Sequence, residues 1–181
     1  MLRVIAGEAR SIPLKTLDGL DTRPTTDRVK ETLFNLLQNY IYDCRFLDLF
    51  AGSGQIGIEA LSRGAREAVF VEKNKKACDI IEQNLTKTKL IENACVLKKD
   101  VISALPFLGS EFDIIFMDPP YALGVEKEVL ASIKEHSVLA EDGQIIIEAD
   151  LNRDFSFVTD MGYEIIKEKI YKTNKHVFLR S

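Results

Sequence analysis

The stretch from Arg45 to Gly57 constrains the fold more than any other part of the chain. Apolar Phe46, Leu47, Leu49 and Phe50 read as a short buried strand. Gly52-Ser53-Gly54-Gln55-Ile56-Gly57 then supplies a full G-x-G-x-x-G spacing and runs into a helical pattern, Ile58 to Gly64. Strand, glycine turn and helix in this order make the spacing meaningful: glycines allow a tight turn and a close ligand, and a helix N-terminus points at it.

On spacing alone the ligand would be a dinucleotide. Asp48, four positions before Gly52, argues against that, because a fixed carboxylate repels a pyrophosphate and attracts a cation. S-adenosylmethionine carries a sulfonium and an α-ammonium and no phosphate. A plainer role for Asp48, capping the turn through the backbone, stays open beside the cofactor reading.

The rest of the chain repeats the strand–helix rhythm. Ala68 to Val71, Ala94 to Leu97, Phe112 to Met117 and Gln144 to Glu148 read as strands. Helical spacing recurs at Ala77, Ile80, Ile81 and Leu85, and again at Val125, Val129, Leu130 and Ile133. Tyr163 to Tyr171 and His176 to Leu179 are joined too tightly for a crossover helix, so they form an antiparallel pair. Upstream, Arg3 to Ala6 and Ile12 to Leu17 suggest a hairpin. Thr25, Thr26 or Asp27 then caps a helix to about Tyr40 with Val29, Leu33, Leu36, Leu37 and Tyr40 on one face. The expected fold is α/β: a Rossmann-like, seven-stranded, mostly parallel sheet with an antiparallel terminal strand and a small N-terminal β-hairpin. The expected division is a hairpin extension, 1–24, and a main domain, 25–181.

With 181 residues, 46% of them hydrophobic and 29% charged, the chain suits one globular domain, and its apolar runs are too short to span a bilayer. Cys44, Cys78 and Cys95 are scattered without a C-x-x-C pair, as expected of reduced thiols in a cytoplasmic protein. His136 and His176 stand alone, expected on the surface or in a strand, and nothing points to a metal. Net charge is −4, yet residues 1–30 hold six basic residues against four acidic ones. That segment is a candidate arm for a phosphate backbone, with Arg10 and Arg28 as contacts, or else a solvated extension.

Ligands of an open parallel sheet bind beyond the carboxyl ends of its strands. Asp48, Glu72, Asp100 and Asp118 stand at four such ends. Glu72, 18 residues after Gly54, is placed for ribose hydroxyls, and Asp100 for an adenine amine. Asp118-Pro119-Pro120-Tyr121 is sharper. Two prolines stiffen the strand end, so the Asp118 carboxylate and the Pro119 carbonyl form paired acceptors for an exocyclic amine. Tyr121 offers a face on which a base can stack.

FLDLFAGSG followed by DPPY resembles the class I S-adenosylmethionine-dependent amino-methyltransferases of DNA and RNA bases. VIAGEAR, RPTTDRVKETLFN and FAGSGQIGIEALSRGA make the chain similar, over essentially its whole length, to the bacterial 16S rRNA guanine-N2 methyltransferases. The resemblance implies methyl transfer to one guanine of the 30S head, within the small ribosomal subunit or an assembly intermediate, without metal or membrane. It implies cofactor contacts from Arg23, Pro24, Thr25, Asp48, Phe50, Ala51, Gly52, Ser53, Gly54, Glu72, Lys73, Asp100, Val101 and Asp118. It implies catalysis by Asp118, Pro119 and Tyr121, and substrate contacts from Arg10, Arg28, Pro120 and Tyr121. One departure stands out: relatives usually carry Arg-Gly-Arg in the first hairpin, where this chain has Arg10-Ser11-Ile12. Alternatives are an adenine-N6 methyltransferase of DNA or RNA, a nicotinamide-dependent oxidoreductase sharing the glycine pattern, and a silent RNA-binding assembly factor.

Overall fold

Short apolar runs separated by helices fold back into one sheet. The computed structural model describes residues 1–17, 26–109 and 111–181. Its strands are β1 (Arg45–Leu49), β2 (Glu67–Val71), β3 (Ala94–Leu97), β4 (Phe112–Met117), β5 (Leu139–Asp150), β6 (Glu164–Ile170) and β7 (Asn174–Arg180). They lie in the order β3-β2-β1-β4-β5-β7-β6. Pairing is parallel from β3 across to β5, while β7 runs antiparallel to both β5 and β6. The last strand therefore slots between two earlier ones. Edge strand β6 is largely exposed, with Lys167, Glu168 and Lys169 along it to discourage pairing with other chains.

Alternation along the strands splits the core into two layers. Phe46, Phe70, Ile114, Phe116, Ile146 and Phe178 face α1 (Asp27–Ile41), α2 (Gln55–Ser62) and α3 (Lys75–Thr88). Leu47, Ile115, Met117, Ile145, Ile147 and Val177 face α5 (Glu126–Glu135) and the short α4 (Val101–Ala104). Thr26 caps α1, its Oγ1 accepting from the Val29 amide at 3.3 Å. The buried stripe of α1 is Lys30, Leu33, Phe34, Leu37 and Ile41, turned from the expected face so that Tyr40 is exposed. Lys30 shares this face and meets the buried carboxylate of Glu59 at 3.4 Å.

The N-terminal hairpin is a pairing without strands. One antiparallel bridge joins Arg3 to Pro13, flanked by amide–carbonyl bonds from Val4 to Ile12 (3.0 Å) and from Leu14 to Leu2 (2.9 Å). No ladder extends because the amides of Ile5 and Ala6 donate instead to the two carboxylate oxygens of Glu59, at 2.9 and 3.0 Å. Gly7, at φ +83°, lets this segment lie on the end of α2, where a Cβ would come within 1.8 Å of the Ser62 carbonyl oxygen. Val4, Ala9 and Leu14 bury into the same layer as α1 and α3.

Candidate active site at the carboxyl ends of the strands

The order of the strands makes β1 and β4 neighbours, with β2 beyond one and β5 beyond the other. This is a topological switch point, where loops from adjacent strands diverge and open a crevice. The glycine turn leaves the end of β1; the Asp118 segment leaves the end of β4.

The turn is held by three positive-φ residues: Phe50 (+61°), Gly52 (+56°) and Gly54 (+77°). Phe50 is the strained member, since a side chain disfavours this region. A Cβ on Gly52 would meet nothing within 4 Å, so the space over that backbone is open. Gly57 serves packing instead: a Cβ there would lie 2.3 Å from the Phe70 ring, so the glycine lets α2 close on the sheet. Glu72 braces the turn from β2, accepting from the Gly52 amide (3.0 Å) and from the Asn74 amide (2.8 Å).

Asp48 lies beneath this turn. Its Oδ2 accepts from the Gly57 amide at 2.9 Å, tying the first turn of α2 to β1. The capping role left open by the sequence is thus a real part of what Asp48 does. Burial, reinforced by the Glu72 carboxylate and opposed by the Gly57 amide, pushes its carboxyl up to about 8. Asp118 is partly exposed at the end of β4. Water exclusion, then the carboxylates of Glu148 and Asp48, hold it well above the usual carboxylate range. Pro119 is buried and Pro120 exposed, and the Tyr121 ring is 47% exposed, free for a stacking partner. Burial and the Glu148, Asp118 and Asp150 carboxylates push the Tyr121 hydroxyl upward, so it stays protonated.

The other expected residues fall in different places. Ala51 and Val101 are buried, Lys73 and Asp100 are exposed, and Asp100 caps α4 through the Ile102 amide at 3.0 Å. Arg23, Pro24 and Thr25 lie outside the described residues. Arg10 and Arg28 are exposed. Arg10 follows the turn that sits on Ser62, the far end of α2, roughly 12 Å along the helix from the glycine turn. Several basic side chains of the first 30 residues already have partners in the chain: Arg3 with Asp27 and Lys15 with Gln83 at the surface, and Lys30 with Glu59 in the interior.

Several residues at or near the site were not singled out from the sequence. Glu148, on β5, accepts from Asn174 Nδ2 at 2.7 Å and lies 3.0 Å from His176 Nε2. Its signal was available, as an acid closing an apolar strand in the manner of Asp118. His176 is on a strand, as one expectation had it, but wholly buried. Asn84, buried in α3, joins the N-terminal segment to the glycine turn: its amide group bonds both the Lys15 backbone and the Ser53 carbonyl (3.0 Å). Among the described residues, no group of three or more His, Cys, Asp or Glu could hold a metal, and no helix is long and apolar enough to cross a membrane.

The family model described as Conserved hypothetical protein 95 matches residues 2–180. The Ribosomal RNA small subunit methyltransferase D of Escherichia coli strain K12 is 36% identical over 169 residues, covering 93% of this chain and 84% of its own. The chain belongs to this family. The Haemophilus influenzae member is likewise 36% identical, over 171 residues, with 93% and 88% covered. Among solved structures, the E. coli yhhF protein, described as a candidate methyltransferase, superposes with a TM-score of 0.88 at 35% identity over 98% of this chain and 96% of that one. The family's fold is that of the class I methyltransferases, and membership in it displaces the oxidoreductase alternative.

Proposed function

We propose that the chain transfers the methyl group of S-adenosylmethionine to the exocyclic N2 amine of one guanine in 16S rRNA, within the small ribosomal subunit or an assembly intermediate, in the cytoplasm. The observation that carries this reading is the pairing, on adjacent strands, of an open positive-φ glycine turn with a partly exposed Asp118 carboxyl. Relatives named as small-subunit rRNA methyltransferases support the substrate class.

The residues present suit the cofactor. Asp48 and Asp118 are carboxyls held up by burial and acidic neighbours, and a sulfonium and an ammonium beside them would favour their ionised forms. Gln55 Oε1, in the first turn of α2, is buried and accepts no hydrogen bond. Glu72 uses two lone pairs on backbone amides, and a carboxylate retains others for ribose hydroxyls. The cofactor supplies an electrophilic methyl carbon. The guanine amine is a poor nucleophile because its lone pair is delocalised into the ring. Asp118 and the Pro119 carbonyl, accepting its two hydrogens, draw it toward tetrahedral geometry and localise that pair. Alignment of this kind is worth on the order of 7–11 kcal/mol in favourable cases. Tyr121 stacks the extruded base, worth ~1–3 kcal/mol.

The test compares methyl incorporation into 30S particles, free 16S rRNA and DNA, followed by mapping of the modified atom. Guanine N2 in the particle or the rRNA is expected; adenine N6 would overturn the assignment. Stabilisation against heat by S-adenosylhomocysteine but not NAD is the matching ligand result.

A further inference from the structure

Glu148 has no task in the chemistry just described, yet it is one of the most firmly held carboxylates in the protein. β4 and β5 pair Met117 with Ile147, so Asp118 and Glu148 follow side by side on strands roughly 4.8 Å apart. Glu148 is 6% exposed. Asn174 Nδ2 reaches one of its oxygens at 2.7 Å and His176 Nε2 lies 3.0 Å from the other. The His176 ring is fixed in turn: Nδ1 is 3.1 Å from the Tyr171 hydroxyl, and Phe116 packs edge-on at 6.0 Å. With Tyr171 donating to Nδ1, the neutral imidazole keeps its proton on Nε2, pointed at Glu148; this tautomer follows from the network. Both Glu148 oxygens then receive donors, which fixes the carboxylate in place.

We propose that Glu148, clamped by Asn174 and His176, is a positioning residue that holds a fixed negative charge behind Asp118 and so equips Asp118 to take the proton released in the reaction. The inference rests on the methyl-transfer reading. In that step the N2 lone pair forms the new C–N bond, the C–S bond breaks with its electrons going to sulfur, and N2 becomes cationic. One N2 proton then passes to an Asp118 oxygen. An ordinary carboxylate is a weak base near neutrality, and one with greater proton affinity accepts better. Among the described residues, the groups acting on Asp118 are Asp48 from β1 and Glu148 from β5, both acidic. Those facing Glu148 are His176 and Asn174 from β7, Tyr171 beside them, and Asp118 and Tyr121 from the β4 end.

The test is the pH dependence of single-turnover methylation at saturating cofactor. The parent should lose rate as pH falls and Asp118 takes up a proton, and Asp118→Asn should erase this limb. Glu148→Gln preserves shape and removes the charge, so the limb should move to lower pH by on the order of one unit. A role confined to packing would lower the rate without moving the limb. Asn174→Ala, at a partly exposed hairpin position, removes one donor and should shift the limb the same way by less. A limb unmoved in Glu148→Gln, with cofactor binding intact by calorimetry, overturns the proposal. If Glu148→Gln fails to bind cofactor, Asn174→Ala decides: a downward shift supports the role and no shift overturns it. Absence of any methylation by the parent sinks the methyl-transfer reading itself, and the inference with it, before a variant is made.

Discussion

Acids at opposite ends of α2 are treated in opposite ways. Glu59, near its last turn, is surrounded by donors: the Ile5 and Ala6 amides, Arg63 at 2.8 Å and Lys30 at 3.4 Å. Burial pulls the Lys30 ammonium below its ordinary value while Glu59 pulls it back, so each charge is tolerated because of the other. At the first turn of α2, Asp48 has one amide, and among the described residues the charged groups acting on it and on Asp118 are acids, Glu72 and Glu148. A carboxylate that serves only the fold arrives with its counter-ions. Among the described residues, Asp48 and Asp118 at the strand ends have none, which is the arrangement expected where a cationic ligand completes the site.

The sharpest break of this contrast is at Glu59. Glu59→Gln leaves Lys30 buried without a counter-charge, and stability by urea unfolding should fall by about 3–5 kcal/mol. Adding Lys30→Met should recover much of that loss. Failure of the second substitution to compensate would mean that anchoring of Ile5 and Ala6, not charge, is what Glu59 provides.

Asp48 should respond in the other direction. Below about pH 4 both folded and unfolded chains hold its proton. As pH rises toward the folded value of about 8, the unfolded chain ionises first, so the parent loses stability across that window. Asp48→Asn keeps an acceptor for Gly57 but cannot ionise. Relative to the parent it should gain on the order of 1–3 kcal/mol between pH 5 and pH 8, while binding S-adenosylmethionine more weakly. Parallel pH slopes for the two proteins would show that Asp48 is already ionised in the free state.

At Asp118 the effect belongs to turnover. In the proposed reaction its contact with the amine strengthens as nitrogen becomes cationic, so Asp118→Ala should slow single-turnover methylation at least about tenfold, or ~1.4 kcal/mol. Cofactor affinity by calorimetry should change far less; a near-parental rate would remove Asp118 from the chemistry. The smallest effect is expected away from the acids. Ser11 stands at φ +69°, a region that favours glycine, so Ser11→Gly should raise the thermal midpoint slightly, by about 0.5 kcal/mol of stability.

What the sequence made legible were features with a local cause. The glycine spacing foretold a turn whose positive φ angles at Gly52 and Gly54 and close helix packing at Gly57 follow from missing side chains, and the diproline marked where β4 ends. Strand and helix periods located nearly every element. Features with a distant cause were less visible. Nothing local marks Lys30 as inward-facing, because Glu59 lies 29 positions on. Glu148 looks like any acid after an apolar run until β7 brings Asn174 and His176 against it. Net charge over the first 30 residues likewise counted side chains that are occupied within the fold.

The placement of β7 carries a consequence for how the protein is made. The strand formed by nearly the last residues of the chain lies between β5 and β6, with Val177, Phe178 and Leu179 buried. Until it is synthesised, Ile145, Ile146 and Ile147 border an unpaired strand edge, the kind of surface that invites aggregation. The same late strand delivers both residues that clamp Glu148. A chain cut short before Asn174 would keep its glycine turn and its Asp118 segment in sequence, yet lack the strand that joins β6 to the rest of the sheet. Synthesis of β7 is therefore what separates a sticky fragment from a closed sheet.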